Sequence, residues 1–457
     1  MAAHAPREPG LSLWAAASEC PDQVAVATGD DELTFSTLRE RADNELEWLG
    51  PPSARSRPVL ALVARPGLDS LLSLYAALHS KTPVLLLHPA LKADQQRRLQ
   101  QRVGATLLHD GEERRTLGPH PTPGLAKEAQ ILLCTSGSTG EPKIVMISQQ
   151  NLLAAAHSHA ANLPLEKETR WLLSLPFAHI GGLSVITRCL IARRTVVLAQ
   201  LRAQDPDFGA RCEALKVTHL SLVPSQLRHA MRLAPPRSLR AVLVGGAPVS
   251  VTERKAAREA RWPILCSYGL TEACSQVATE SPQGPWGRDD VGLPLPQIEV
   301  RIEPEGTLSL RGPMVSSGYL DSANRVDKDG WLHTTDRAQV LENGRLKILG
   351  RCDDVVISGG ENISPAWVES QLIGPAQSLG VDALAISSEP HAHWGQQVVG
   401  VISAGGSVSL ASLDEMARQI LPAFSVPKRW VILERLPQLP SGKLDRQKLR
   451  KIVASVP

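Results

Sequence analysis

From residue 131 onward, short β-branched or leucine runs alternate with stretches of helical period. Strands are predicted at Ile131–Cys134, Trp171–Leu175, Thr195–Ala199, Thr218–Val223, Ala241–Val244 and Ile264–Ser267. Between them the apolar positions recur every three or four residues, which predicts helices over Gln149–Ala161, Gly181–Ala192, Pro206–Leu215, Ser225–Arg232 and Ser250–Ala260. Alternation of this kind implies an α/β fold of parallel sheets flanked by helices, with ligands held at the carboxyl ends of the strands. An earlier set, Pro58–Ala64 and Val84–Leu87 with a helix over Leu68–His79 between them, predicts a related sheet.

After Gly284 the texture changes to short strands and turns, at Ile298–Ile302, Thr307–Leu310, Gly330–His333 and Arg345–Leu349. The rest mixes strands and helices. The chain therefore reads as a large N-terminal domain, residues 1–350, made of parallel-rich sheets plus a small strand-rich subdomain. A small α+β domain follows over 351–457, with the boundary near Arg351-Cys352-Asp353-Asp354. A chain of 457 residues exceeds a single core.

Composition narrows the class without naming a chemistry. With 43% hydrophobic and 21% charged residues the chain reads as soluble and globular. A net charge of +3, with no dense Lys/Arg cluster, argues against nucleic acid as a partner. The most apolar stretches are too short to span a bilayer, so no membrane insertion is expected. Met1–Cys20 lacks the apolar core of a signal peptide. The seven cysteines are scattered with no Cys-x-x-Cys pair, which fits reduced thiols in the cytoplasm. The His157/His159 and His391/His393 pairs, lacking partner ligands nearby, read as surface histidines.

Chemistry enters at Thr135-Ser136-Gly137-Ser138-Thr139-Gly140-Glu141-Pro142-Lys143, directly after the apolar run Ile131–Cys134. Small residues leave the backbone amides free to wrap phosphate oxygens, and Lys143 adds a point charge. It is not a Walker A loop, because the second glycine and the hydroxyl of that motif would fall on Pro142 and Ile144. Gly245-Gly246-Ala247-Pro248 follows the strand Ala241–Val244, and residues without bulk there let the backbone approach a ligand. In Ser267-Tyr268-Gly269-Leu270-Thr271-Glu272, the ring beside a glycine offers a flat wall for a purine. The hydroxyl and carboxylate beyond it can meet a phosphate and its metal.

Three further segments complete an ordered series: Trp331–Asp336, Gly350–Ile363 and Pro437-Gln438-Leu439-Pro440-Ser441-Gly442-Lys443. Together, from 131 to 446, they resemble the adenylate-forming superfamily of acyl-CoA synthetases, peptide-synthetase adenylation domains and luciferases. The resemblance implies an ATP- and Mg²⁺-dependent ligase that makes an acyl-adenylate and then passes the acyl group to a thiol. It implies that the Ser136–Lys143 loop with Thr135 cradles phosphates, and that Gly245, Gly246, Tyr268 and Gly269 line the base. Thr271 would contact the α-phosphate, and Glu272 would hold Mg²⁺. Asp336 would accept from the ribose hydroxyls, although Thr335 stands where the family has glycine. Arg351 would reach ribose or phosphate, and Asp353 would be the hinge about which a mobile C-terminal domain turns. Ser358, Gly359 and Gly360 would line a coenzyme A tunnel, and Lys443 would be the adenylation lysine. A lone lysine on such a loop otherwise reads as a solvated charge.

Pro176-Phe177-Ala178-His179 resembles the family's segment at the mouth of the acyl pocket, with Ala178 where an aromatic is common. His179 would line that pocket and gate the thiol, or serve a structural role. Within the superfamily the chain is most similar to the ligases that join the dicarboxylate o-succinylbenzoate to coenzyme A in menaquinone biosynthesis. A spare substrate carboxylate needs a cation inside an apolar pocket. Arg188, amid Leu183, Val185, Ile186 and Leu190, suits that task, unless it snorkels to the surface as Arg193 and Arg194 would. Another aryl- or acyl-CoA ligase, or an enzyme loading a carrier-protein thiol, would have the same frame. The sequence leaves the oligomeric state open, a homodimer included.

Overall fold

The computed structural model describes residues 10–29, 31–50, 58–118, 124–135, 142–320, 325–358, 361–391, 394–439 and 442–456, with the backbone alone at Asp353, Ile357 and Asn362. Ser136, Gly137, Ser138, Thr139 and Gly140 of the predicted phosphate loop lie outside the described residues, as do Gly359 and Gly360.

The fold is α/β, with two parallel-rich sheets. A six-stranded sheet has Leu60–Val63 and Val84–Leu87 at its centre, parallel to each other and to Leu107–His109 and Ala129–Thr135 on either side. Its far edge is Lys143–Ser148, an antiparallel strand absent from the sequence reading, which pairs Thr135 with Lys143 at the two ends of the predicted phosphate loop. In a nine-stranded sheet, Val24–Ala27, Thr195–Val197, Arg170–Leu172, His219–Leu222, Ala241–Val244 and Ile264–Leu270 run parallel in that spatial order. The strand Ala241–Val244 buries both faces, which is why it reads as an unbroken apolar run rather than an alternating one.

The largest core lies where both sheets pack on the helices Leu68–Ser80, Gln149–Asn162 and Ile180–Ala192, around fully buried Tyr75, Trp171 and Phe177. Ser148 starts the second of these helices with a capping box. Its Oγ accepts from the Asn151 amide (3.1 Å), and Asn151 Oδ1 accepts in return from the Ser148 amide (2.9 Å). The Asn151 side-chain amide also donates to the Pro313 and Val315 carbonyls, both at 2.8 Å, which fixes the segment leading to Tyr319.

A four-stranded antiparallel sheet follows, from Glu299–Ile302 through Thr307–Arg311 and Leu332–Val340 to Leu346–Arg351. The third strand differs from the predicted Gly330–His333; it begins later and runs on through Thr334-Thr335, whose β-branched side chains suit extended backbone. Residues 356–433 form a five-stranded sheet with its own core of Val368, Leu372, Ile386, Val398 and Ile402. Ser364 Oγ donates to the Leu349 carbonyl at 2.9 Å, tying this part to the preceding sheet.

Candidate active site

Among the described residues, Tyr268, Asp336, Arg351, Gly246 and Lys443 of the predicted site lie near one another, with Gly246 and Tyr268 at the carboxyl ends of parallel strands. Asp336 and Arg351 are direct partners across two antiparallel strands, with guanidinium and carboxylate 3.9 Å apart. The Tyr268 hydroxyl donates to Asp336 Oδ2 at 2.5 Å. Burial and the Asp336 carboxylate push the Tyr268 phenol well above its ordinary range, so it remains a donor. Beyond Tyr268 the chain turns through one short 3₁₀ turn, Thr271–Ala273, which carries Thr271 and Glu272. A Cβ at Gly269 would stand 1.9 Å from the Ser275 carbonyl oxygen, so this crossing admits glycine alone.

Tyr319 joins this group unannounced by the sequence. Its hydroxyl donates to Glu272 Oε1 at 2.6 Å, and the Lys143 ammonium sits 5.1 Å from its ring centroid. The hydrogen bond spans 47 residues, and no local pattern signals it. Lys443 reaches the same cleft from the far end of the chain. A Cβ at Gly246, where φ is +82°, would lie 3.0 Å from Lys443 Cε and 3.6 Å from Nζ. Lys443 is exposed, yet the groups crowded around it desolvate the ammonium enough to pull it below its ordinary range. Arg351 adds to that pull, while Asp336 and Glu272 oppose it.

The remaining predicted ligand-binding residues, His179 and Arg188, belong to the helix Ile180–Ala192 and its N-cap. His179 caps its start, with its ring 5.3 Å from that of His88, and Nε2 of both histidines is buried without a partner. His88 is a second residue that the sequence does not single out. Two turns into the helix, Arg188 is 3% exposed. Its Nη2 donates to Ser275 Oγ at 3.3 Å, its guanidinium lies 5.8 Å from the Trp171 ring centroid, and no carboxylate pairs with it among the described residues. Burial lowers its pKa to about 9, which leaves it cationic at neutral pH. The surface reading of His159 fails. It is 1% exposed, with Nδ1 on Gln276 Oε1 at 2.7 Å and its ring against Trp171. The Ala/Ser/His spacing hides a face buried by long-range packing. His157 is exposed. Arg193, likewise expected at the surface, is 8% exposed and pairs with Glu19 at 2.9 Å.

Comparison with known proteins gives the family. The model of a family described as AMP-binding enzyme fits residues 109–320. The 2-succinylbenzoate–CoA ligase of Bacillus licheniformis is 31% identical over 94% of this chain and 97% of its own length. The chain belongs to the AMP-binding enzyme family. Among solved structures, o-succinylbenzoate CoA synthetase from Bacillus subtilis in complex with its acyl-adenylate intermediate superposes with a TM-score of 0.84. That pair is 28% identical and covers 96% of this chain and 98% of the other. The same enzyme with ATP and magnesium ion also gives a TM-score of 0.84, at 27% identity and the same coverage.

In this AMP-binding enzyme the donor set for magnesium is sparse. Among the described residues, no group of three or more His, Cys, Asp or Glu side chains could hold a metal ion. Glu272, with one oxygen held by Tyr319, offers a single carboxylate. That suits Mg²⁺, which takes one or two carboxylates and fills the remainder with phosphate oxygens and water. Among the described residues no helix is long and apolar enough to cross a membrane.

Two histidines of this half of the molecule set an acid limit. Burial, helped by His88 and Lys443, holds His179 down at about 4, and burial with Arg240 does the same to His219. Unfolding returns both to near 6.5. Between pH 6.5 and 4 the unfolded chain binds the extra protons, so stability is present above this window and lost as pH falls through it. The loss is about 2 kcal/mol per histidine at pH 5. Urea midpoints at pH 7 and pH 5 should therefore separate less in His219→Asn than in wild type; an equal separation would remove His219 from the account.

Proposed function

We propose that the chain is an o-succinylbenzoate–CoA ligase of menaquinone biosynthesis, converting 2-succinylbenzoate, ATP and coenzyme A to 2-succinylbenzoyl-CoA, AMP and pyrophosphate. The observation that carries the substrate is Arg188. A fully buried guanidinium with no carboxylate of its own among the described residues calls for an anionic group on the ligand. A ligase for monocarboxylates would leave that charge unanswered. Incubation with ATP, coenzyme A and o-succinylbenzoate should give AMP and the CoA thioester, whereas release of ADP, or no thioester, would reject the reading. We place the enzyme in the cytoplasm, where its seven cysteines would stay reduced thiols.

The reaction follows from the groups in the cleft. The substrate carboxylate, already ionised, attacks the α-phosphorus and pyrophosphate leaves, so no general base is required. Lys443 and Thr271, with the amides of the loop after Thr135 and the Lys143 charge, stabilise the negative charge that builds on the phosphoryl oxygens. Bound Mg²⁺ supplies further neutralisation of phosphate charge at Glu272. Tyr268, Gly245, Gly246 and Gly269 seat the adenine, while Asp336 and Arg351 hold the ribose. The thiol then attacks the acyl carbonyl and AMP departs. Between the two steps residues 351–457 turn about Asp353. This withdraws Lys443 and brings Ser358, with Gly359 and Gly360, to the coenzyme A path past His179.

Asp353 stands in the 3₁₀ turn Cys352–Asp354 that links the two parts. Proline there fixes φ and hinders the rotation. Asp353→Pro should keep pyrophosphate exchange while thioester output falls at least about tenfold. Unimpaired overall turnover would exclude Asp353 as the hinge.

A further inference from the structure

A groove of about 220 Å³ opens at the amino ends of the strands Ala241–Val244 and Ile264–Leu270, lined by Arg240, Arg258, Arg261, Trp262, Pro282 and Trp286. The catalytic residues gather at the opposite ends of the same strands, about 13 Å away at the usual rise of a four-residue strand. The groove is therefore a separate place.

Its charge is unbalanced. Arg258 donates to Glu280 Oε1 at 2.7 Å, but that fully buried carboxylate also faces Arg254 at 3.8 Å and accepts the Cys266 amide at 2.8 Å. Arg240 and Arg261 have no ion pair among the described residues. Arg261 moreover holds a left-handed backbone, φ +62°, where glycine would be easier. Aromatic surface stands beside this charge. Trp286 is 50% exposed, is fixed by its indole N–H donating to the Ser281 carbonyl at 2.9 Å, and carries the Arg258 guanidinium 5.3 Å from its ring centroid.

We infer that this groove is a second small-molecule site, taking a planar aromatic carboxylate. An indole face accepts a flat ring, and an unpaired guanidinium fork accepts a carboxylate in two hydrogen bonds. The volume admits a one- or two-ring acid and is below that of pockets for drug-sized ligands or nucleotides.

Because the acyl pocket is itself proposed to hold an aromatic acid, the test must separate the two sites. Titration calorimetry with 2-naphthoate on the full chain should give binding that depends on the groove side chains, none of which lies in the acyl pocket. Arg261→Ala, Arg240→Ala and Trp286→Ala should each weaken it about tenfold. Cyclohexanecarboxylate, charged but not aromatic, and 2-naphthylmethanol, aromatic but uncharged, should both bind more weakly than 2-naphthoate. Binding indifferent to all three groove substitutions, or no binding to wild type at millimolar 2-naphthoate, would each overturn the inference.

Discussion

Lys443→Ala is expected to abolish the first half-reaction while largely sparing the second. Lys443 is brought from the end of the chain to within van der Waals reach of the Gly246 turn, in the field of Asp336, Glu272 and Arg351. In the proposed reaction its ammonium would meet charge that exists only as the α-phosphoryl group is transferred. Losing one preorganised cation of this kind costs about 10²–10³-fold in rate, and more where solvent is excluded. Pyrophosphate exchange should fall by at least that factor. Thioester formation from a supplied acyl-adenylate should change only a few-fold, because the proposed rotation has already removed the lysine from the site. Lys443→Arg should recover part of the exchange, since it returns the charge in a bulkier, planar form. Equal loss in both half-reactions would mean that Lys443 acts in both, or that no rotation separates them.

Arg188→Ala is expected to weaken o-succinylbenzoate far more than ATP or coenzyme A. The substitution removes a charge-assisted pairing with the substrate in a buried pocket, worth about 2–5 kcal/mol, or roughly 30- to 4,000-fold in kcat/KM. Arg188→Lys should recover only part, because an ammonium cannot reproduce the planar fork. Turnover of a monocarboxylate analogue, benzoylpropionate, should change little, which distinguishes impaired recognition from a damaged fold. An unchanged apparent affinity for o-succinylbenzoate in Arg188→Ala would remove the arginine from substrate recognition.

Much of the frame is legible in the sequence because it is written locally. The strands Ala241–Val244 and Val84–Leu87 lie where their apolar runs stand, and the turns that follow the parallel strands carry the small residues and hydroxyls of the site. What escapes depends on partners distant in sequence. The first strand, Val24–Ala27, is held by pairing with Thr195–Val197, far along the chain. Tyr319 and His88 carry no local mark; each gains meaning from Glu272 or His179 across the fold. His159 defies its surface reading because its burial comes from Trp171 and Gln276 rather than from the period of its own helix. Arg188 is legible as a cation among apolar neighbours, but its lack of a counter-ion among the described residues emerges only from the structure.

The most direct test is carboxylate-dependent exchange of labelled pyrophosphate into ATP, measured across a panel of acids without coenzyme A. Exchange should be fastest with o-succinylbenzoate, at least about tenfold slower with monocarboxylates of the same ring, and absent without an acid. No exchange with any acid would contradict adenylate chemistry, and exchange that favours a monocarboxylate over o-succinylbenzoate would contradict the substrate.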